Sequence, residues 1–129
     1  MMDLGIAGKT AIVCGSSRGL GRACAESLAR AGCKVLVNGI DPDRLAATAI
    51  DIREETGSEI IEVAGDVTTH AGQDALFEKC DAPDILITNA GGPPFKDFRE
   101  LERDAMLNGV TWNMITPIEL IQHYIDGMA

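Results

Sequence analysis

Residues 14–21 read CGSSRGLG, with glycine at Gly15, Gly19 and Gly21. The stretch follows the apolar run TAIVC, residues 10–14, and precedes a helical pattern beginning at Arg18. A short apolar, β-branched run that ends at a glycine reads as a buried strand. In the pattern after it, Leu20, Cys24, Ser27, Leu28 and Ala31 fall on one helical face, which predicts that face as the buried one, with Gly32 as the C-terminal cap. The local unit is strand, glycine turn, helix.

The same alternation continues outward. KVLVN, 34–38, predicts a second strand. Asp41-Pro42 then opens a helix, with Asp41 as N-cap and the proline in the first turn; Leu45, Ala49 and Ile52 form its buried stripe and Gly57 closes it. EIIEVA, 59–64, predicts a third strand, and a third helix follows over about 69–80, with Ala71, Ala75, Leu76 and Phe77 as its apolar residues. DILIT, 84–88, predicts the fourth strand. In the loop after it, GGPPF at 91–95 is stiffened by two prolines, and residues 100–128 are largely helical in pattern with Pro117 inside. A proline there denies an N–H to the carbonyl of Asn113, four residues earlier. Strands alternating with helices imply an α/β fold: a doubly wound, Rossmann-like parallel sheet in one domain, 1–129.

Composition narrows the function. A net charge of −9 with no basic run disfavours nucleic acid and anionic membranes as partners. The four cysteines, Cys14, Cys24, Cys33 and Cys80, form no metal-spaced pairs and read as small buried thiols of a cytoplasmic protein. His70 and His123 are solitary and read as surface residues.

The first strand-to-helix turn of an open parallel sheet offers unpaired N–H groups and a positive helix dipole to a pyrophosphate. Gly15 permits the turn, Gly19 lets the backbone approach the phosphates, and Gly21 lets the helix pack on the strands. The spacing is G-x-x-x-G-x-G, and Arg22-Ala23 after Gly21 excludes a P-loop.

CGSSRGLGRA resembles the T-G-x-x-x-G-x-G segment of the short-chain dehydrogenase/reductase family. Asp66-Val67 resembles that family's adenine-pocket segment, TNAG at 88–91 its N-N-A-G segment, and Asn113 its catalytic Asn; the flavour is that of 3-oxoacyl-[acyl-carrier-protein] reductases. The resemblance covers essentially the whole chain. It implies cofactor contacts from Gly15, Ser17, Arg18, Gly19, Leu20 and Gly21, from Asn38 at the end of the second strand, from Asp66 and Val67, and from Asn89, Ala90 and Gly91. It also implies that the Asn113 carbonyl holds a water of a proton relay. Cys14 and Thr88 depart from the family's usual Thr and Asn, as a paired change at the ends of neighbouring strands.

An acid at the end of the second strand selects NAD, and a nearby Arg accommodates the 2′-phosphate of NADP. Here the usual acidic position resembles Gly39 and the usual Arg position Ile40; Arg18 points to NADP, with NAD the alternative.

The family's Tyr-x-x-x-Lys is absent: Tyr124 is the sole tyrosine and is followed four residues on by Met128. The reading is therefore the cofactor-binding half of a short-chain reductase acting on a small ketone or acyl substrate, truncated after the fourth strand and helix and inactive alone. The alternatives are a non-catalytic NAD(P)-binding module and a half-enzyme completed by another chain. An exposed fourth strand and an uncovered last helix predict a homo-oligomer or marginal stability.

Overall fold

Strands β1 (Thr10–Val13), β2 (Lys34–Gly39), β3 (Ile60–Ala64) and β4 (Ile85–Ile87) form one parallel sheet in the order β3-β2-β1-β4. This is a computed structural model, and it describes residues 2–92 and 95–129. The connecting helices are α1 (Gly19–Arg30), α2 (Pro42–Thr56) and α3 (His70–Lys79). A 3₁₀ turn (Phe98–Glu100), α4 (Arg103–Val110), a π turn (Thr111–Ile115) and α5 (Thr116–Met128) follow β4. The chain winds from β1 out to β3 and then crosses back to place β4 on the other side of β1. The glycine turn after β1 therefore sits where the strand order reverses, the crevice position of doubly wound sheets.

The twofold period of the strands builds two cores. Ala11 and Val13 join Val35 and Val37 on the face covered by α1 and α2, with Ala25, Ala29, Leu45, Ala49 and Ile52. Ile12, Cys14 and Leu36 face the other way, against Leu76, Leu120 and Tyr124 of α3 and α5. Each fully buried Leu or Ile contributes about 1.5–3 kcal/mol, so both faces are needed to hold this sheet.

The expected cap and closure of α2 are found. Asp41 Oδ1 accepts from the backbone N–H of Asp43 (3.0 Å) and Arg44 (3.3 Å), and Gly57 ends the helix at φ 72°. Its buried stripe is Leu45, Ala49 and Ile52, joined by Thr48.

Three burial expectations are corrected. On α1 the buried residues are Gly21, Ala25 and Ala29, with Leu28 half-buried, while Leu20, Cys24 and Ser27 are exposed. Small residues every four positions let the helix backbone lie close to the strands, a stripe that hydrophobicity alone ranks low. On α3, Ala71 is exposed, and Gly72, Gln73 and Leu76 are buried. Gln73 is tolerated inside because its amide donates to the Val67 carbonyl (3.0 Å). Of the cysteines, Cys14 and Cys33 are buried, Cys80 is intermediate and Cys24 is exposed.

Pro117 does not lie inside an uninterrupted α-helix. A π turn precedes it, closed by Thr116 N–H donating to the Thr111 carbonyl, and the proline falls in the first turn of α5, where a missing N–H costs least. The stiffened loop expected at 91–95 rests on Pro93 and Pro94, which lie outside the described residues. At the far end of the sheet β4 is an edge, its three residues only half-buried.

Candidate functional site

A cleft of about 600 Å³ opens at the C-terminal ends of the parallel strands. Its floor begins with the glycine turn. Gly15 and Gly19 adopt φ of 56° and 61°, a region costly for any side chain. Gly21 is buried behind the loop rather than on the cleft wall. A Cβ there would strike the Gly15 carbonyl and the Asn89 amide, so this glycine sets how closely α1 approaches the turn. Arg18 occupies the N-cap of α1 without a side-chain hydrogen bond to the helix, and the first turn holds no acidic residue. The leading N–H groups are thus left for an anion.

Buried Ser16 and Asn38 brace the turn from below. Ser16 N–H donates to the Asn38 carbonyl (2.7 Å), and Asn38 N–H donates back to Ser16 Oγ (2.9 Å). The Asn38 side chain accepts from Gly15 N–H (3.2 Å) and donates to the carbonyls of Val63 (3.0 Å) and Gly65 (3.2 Å). Asn38 reaches the cleft wall, but these bonds tie β1, β2 and β3 together behind it. Thr48 Oγ1 donates to the Ser17 carbonyl (2.7 Å), fastening the loop to α2.

The remaining expected residues converge on the same space. Ser17, Arg18, Gly19 and Leu20 line one wall, Leu20 with 82% of its surface exposed. Asp66 and Val67 line the wall beyond β3. Asp66 Oδ1 accepts from Thr68 N–H (2.9 Å) and Thr68 Oγ1 (2.7 Å), while its Oδ2 has no partner among the described residues. Asn89, Ala90 and Gly91 close the β4 side, and Asn89 Nδ2 donates to the Gly15 carbonyl (3.0 Å).

Asn113 lies apart. It lines an adjoining cleft of about 200 Å³ with Cys14, Thr88, Thr116 and Pro117. Its side chain is turned back to donate to the Gly109 carbonyl (3.0 Å). Buried Thr116 Oγ1, on the same wall, has no partner among the described residues. Cys14 and Thr88 do meet at this wall, as their neighbouring strand ends require, and burial pushes the Cys14 thiol up to about 12 despite a backbone hydrogen bond from Asn89.

Sequence reasoning missed several residues. Arg44 and Thr68 line the main cleft, and Trp112 lines both clefts. Gly72 admits no Cβ because the Asp66 backbone occupies the space, so it fixes the Asp66 turn. Arg44 and Gly72 sit inside helices whose polar and small residues look ordinary in sequence; only the packing marks them. Tyr124 is buried, and its hydroxyl donates to the Cys80 carbonyl (2.8 Å). Burial drives that phenol well above its ordinary value. His70 and His123 are exposed, and His123 stacks on Phe77.

A glycine turn at the strand-order reversal, an open helix N-terminus and a cleft across the strand ends define a doubly wound, Rossmann-like α/β protein. Residues 9–129 match the family described as short chain dehydrogenase, and the chain belongs to it. The chain is 29% identical over 128 residues to the uncharacterized oxidoreductase YvaG of Bacillus subtilis, covering 98% of this chain and 48% of that one. Among solved structures it is similar to L-sorbose reductase from Gluconobacter frateurii, complexed with NADPH and L-sorbose. That match has a TM-score of 0.91 and 33% identity, over 98% of this chain and 50% of the other. It is also similar to a 3-oxoacyl (acyl-carrier-protein) reductase from Agrobacterium tumefaciens with NADP bound. There the TM-score is 0.84 and the identity 31%, over 95% of this chain and 48% of the other. The chain thus spans about half the length of these relatives. No helix among the described residues is long and apolar enough to cross a membrane.

Proposed function

We propose that this chain supplies the cofactor-binding part of an NADP(H)-dependent short-chain reductase acting on a ketone or 3-oxoacyl group. The observation that carries the reading is the cleft itself: a glycine turn and an uncapped α1 N-terminus face it, and Asp66 and Asn89 flank it. The residues fit a dinucleotide. The N-terminal N–H groups of α1 and the Gly15–Leu20 loop would hold the pyrophosphate, the open Oδ2 of Asp66 would receive the adenine amino group, and Asn89, Ala90 and Gly91 would leave room for the nicotinamide ribose. Arg18, at the loop, favours NADP over NAD. Bound NADPH would supply the hydride.

These residues by themselves bind rather than reduce. The sole tyrosine is engaged with the Cys80 carbonyl and does not line the cleft, so no phenol stands ready to give a proton. Asn113 would act through its backbone carbonyl, since its side chain is committed to Gly109. The chain would also pair with a second copy of itself through the apolar stripe on α4 and α5, described below.

The test is titration of the 129-residue chain with NADPH, followed through its single tryptophan, Trp112, on the cleft wall. Saturable quenching, with NADPH left unoxidised when a ketone is added, is expected. Absence of saturable binding both by fluorescence and by calorimetry would remove the reading.

A further inference from the structure

Gln73 breaks the pattern of its helix. It is a long polar side chain on the buried face of α3, beside Gly72 and Leu76, and Leu76 packs with Leu120 and Tyr124 of α5. A carboxamide costs free energy there unless its N–H groups are partnered. Here Nε2 donates to the Val67 carbonyl (3.0 Å) and to Glu119 Oε1 of α5 (3.4 Å). A carbonyl and a carboxylate both accept, so the nitrogen end of the amide is the end that faces them.

Each bond lands on a defined segment. Val67 follows Asp66 in the turn after β3, and the acceptors of that turn are tied back. Thr68 N–H and Oγ1 hold Asp66 Oδ1, and Thr69 N–H (3.0 Å) and Oγ1 (2.7 Å) hold the Asp66 carbonyl. Gln73 holds the Val67 carbonyl. The acceptor left over is Asp66 Oδ2, on a residue that lines the cleft. Glu119 belongs to the other support, α5, which is registered against α3 at successive turns. Phe77, one turn past Gln73, stacks on His123, one turn past Glu119, with ring centroids 3.5 Å apart. Next to His123, the Tyr124 hydroxyl donates to the Cys80 carbonyl (2.8 Å) at the end of α3. Gln73 and Glu119 themselves lie outside the lining of both clefts.

We propose that Gln73 is a positioning residue for the adenine end of the cofactor: its amide bridges the Val67 carbonyl to Glu119, and so fixes the Asp66–Val67 turn against α5 with one carboxylate oxygen free for the ligand. This rests on the cofactor-binding reading above and adds two residues from behind the cleft wall. The bridge needs both N–H groups of one planar amide, so an apolar side chain of the same length fills the space and holds neither segment.

The probes are NADP+ and its 1,N6-etheno analogue, whose added ring removes the adenine amino N–H. Their affinities are measured by calorimetry on wild type, Gln73→Met, Glu119→Leu, Glu119→Gln and the double variant Gln73→Met/Glu119→Leu, with urea denaturation reporting the fold separately. Wild type should prefer NADP+ by about tenfold. Gln73→Met should lose about fivefold for NADP+ and stay within about twofold for the analogue, which cuts the preference to about twofold. Glu119→Leu, at a half-buried surface position, should lose part of the preference, and Glu119→Gln, which keeps the acceptor, should retain it. The double variant should be no worse than Gln73→Met alone, because Glu119 acts through the amide. A tenfold preference that survives Gln73→Met overturns the inference, and so does an equal loss for both ligands, the mark of a general structural effect. Full additivity in the double variant breaks the bridge. Equal wild-type affinity for the two probes overturns the positioning role and leaves the cofactor reading intact. If wild type binds neither, the cofactor reading falls and the bridge falls with it.

Discussion

The glycine-turn side of the molecule, built on β1, β2 and β3, and the β4–α5 end finish their surfaces differently. On the first side Leu20 and Ile40 are exposed beside the cleft, and the loops are held by side-chain bonds from Ser16, Asn38 and Thr48. On the second, Leu107, Val110, Met114, Ile118, Ile121 and Ile125 recur three and four residues apart, each 44% exposed or more. This spacing draws an apolar stripe along α4 and α5, and the edge strand β4 is itself only half-buried. A small ligand can complete the first side, since its gap is a concave cleft that sets polar groups among apolar ones. Only another polypeptide surface can cover the second.

The largest effect that separates the two sides comes from one substitution made in each. Gly21→Val drives a side chain into the Gly15 carbonyl and the Asn89 amide, both part of the turn. Urea denaturation should show a loss of about 3 kcal/mol or more, and NADPH quenching of Trp112 should vanish. Gly127→Ala, in α5, meets nothing within 4 Å. It should be neutral or stabilise by up to about 1 kcal/mol. If Gly21→Val bound NADPH normally, the close approach of α1 to the turn would not be what shapes the cradle.

The contrast was unevenly legible in the sequence. Strand–helix alternation and the Asp41 and Gly57 boundaries could be read because they depend on local chemistry: caps, turns and runs of β-branched residues. That the glycine loop, Asp66 and Asn89–Gly91 would meet at one cleft could be anticipated because motif and position agree. The buried face of α1 could not, since Gly21, Ala25 and Ala29 are chosen for size and the more apolar Leu20 is spent on the cleft. Arg44 was hidden for a related reason. In sequence it is one more charge on the first turn of a helix, and only the Thr48–Ser17 bond shows which way that turn faces. The π turn escaped because Pro117 announces a disruption without saying how the backbone absorbs it.

The next effect probes the apolar end. Replacing Ile118 and Ile125 together with Glu places charge in the middle of the stripe, seven residues apart on one face. Sedimentation should show wild type self-associating, and the double variant should need at least about tenfold higher protein concentration to do so, since each isoleucine gives up part of about 1.5–3 kcal/mol of burial. NADPH binding should stay within about twofold, because neither residue lines the cleft. Wild type remaining a monodisperse monomer at high concentration would show that the stripe does not pair with its own copy.

The smallest effect joins the two sides, because Cys14 stands between them at the end of β1, against α5. Burial pushes its thiol from 9.0 up to about 12. Between those values the unfolded chain has released the proton and the native chain still holds it. The native state then binds more protons, so stability falls as pH rises. The loss from this group should be about 1 kcal/mol between pH 9 and 10 and absent below about pH 8. Burial also raises the Tyr124 phenol, which adds a similar fall starting near pH 10. Denaturation at pH 8, 9 and 10 should therefore show a shallower alkaline decline for Cys14→Ala than for wild type. Equal slopes would mean that the thiol reaches water on the β4 side, and that the junction between the braced half and the uncovered one opens in solution.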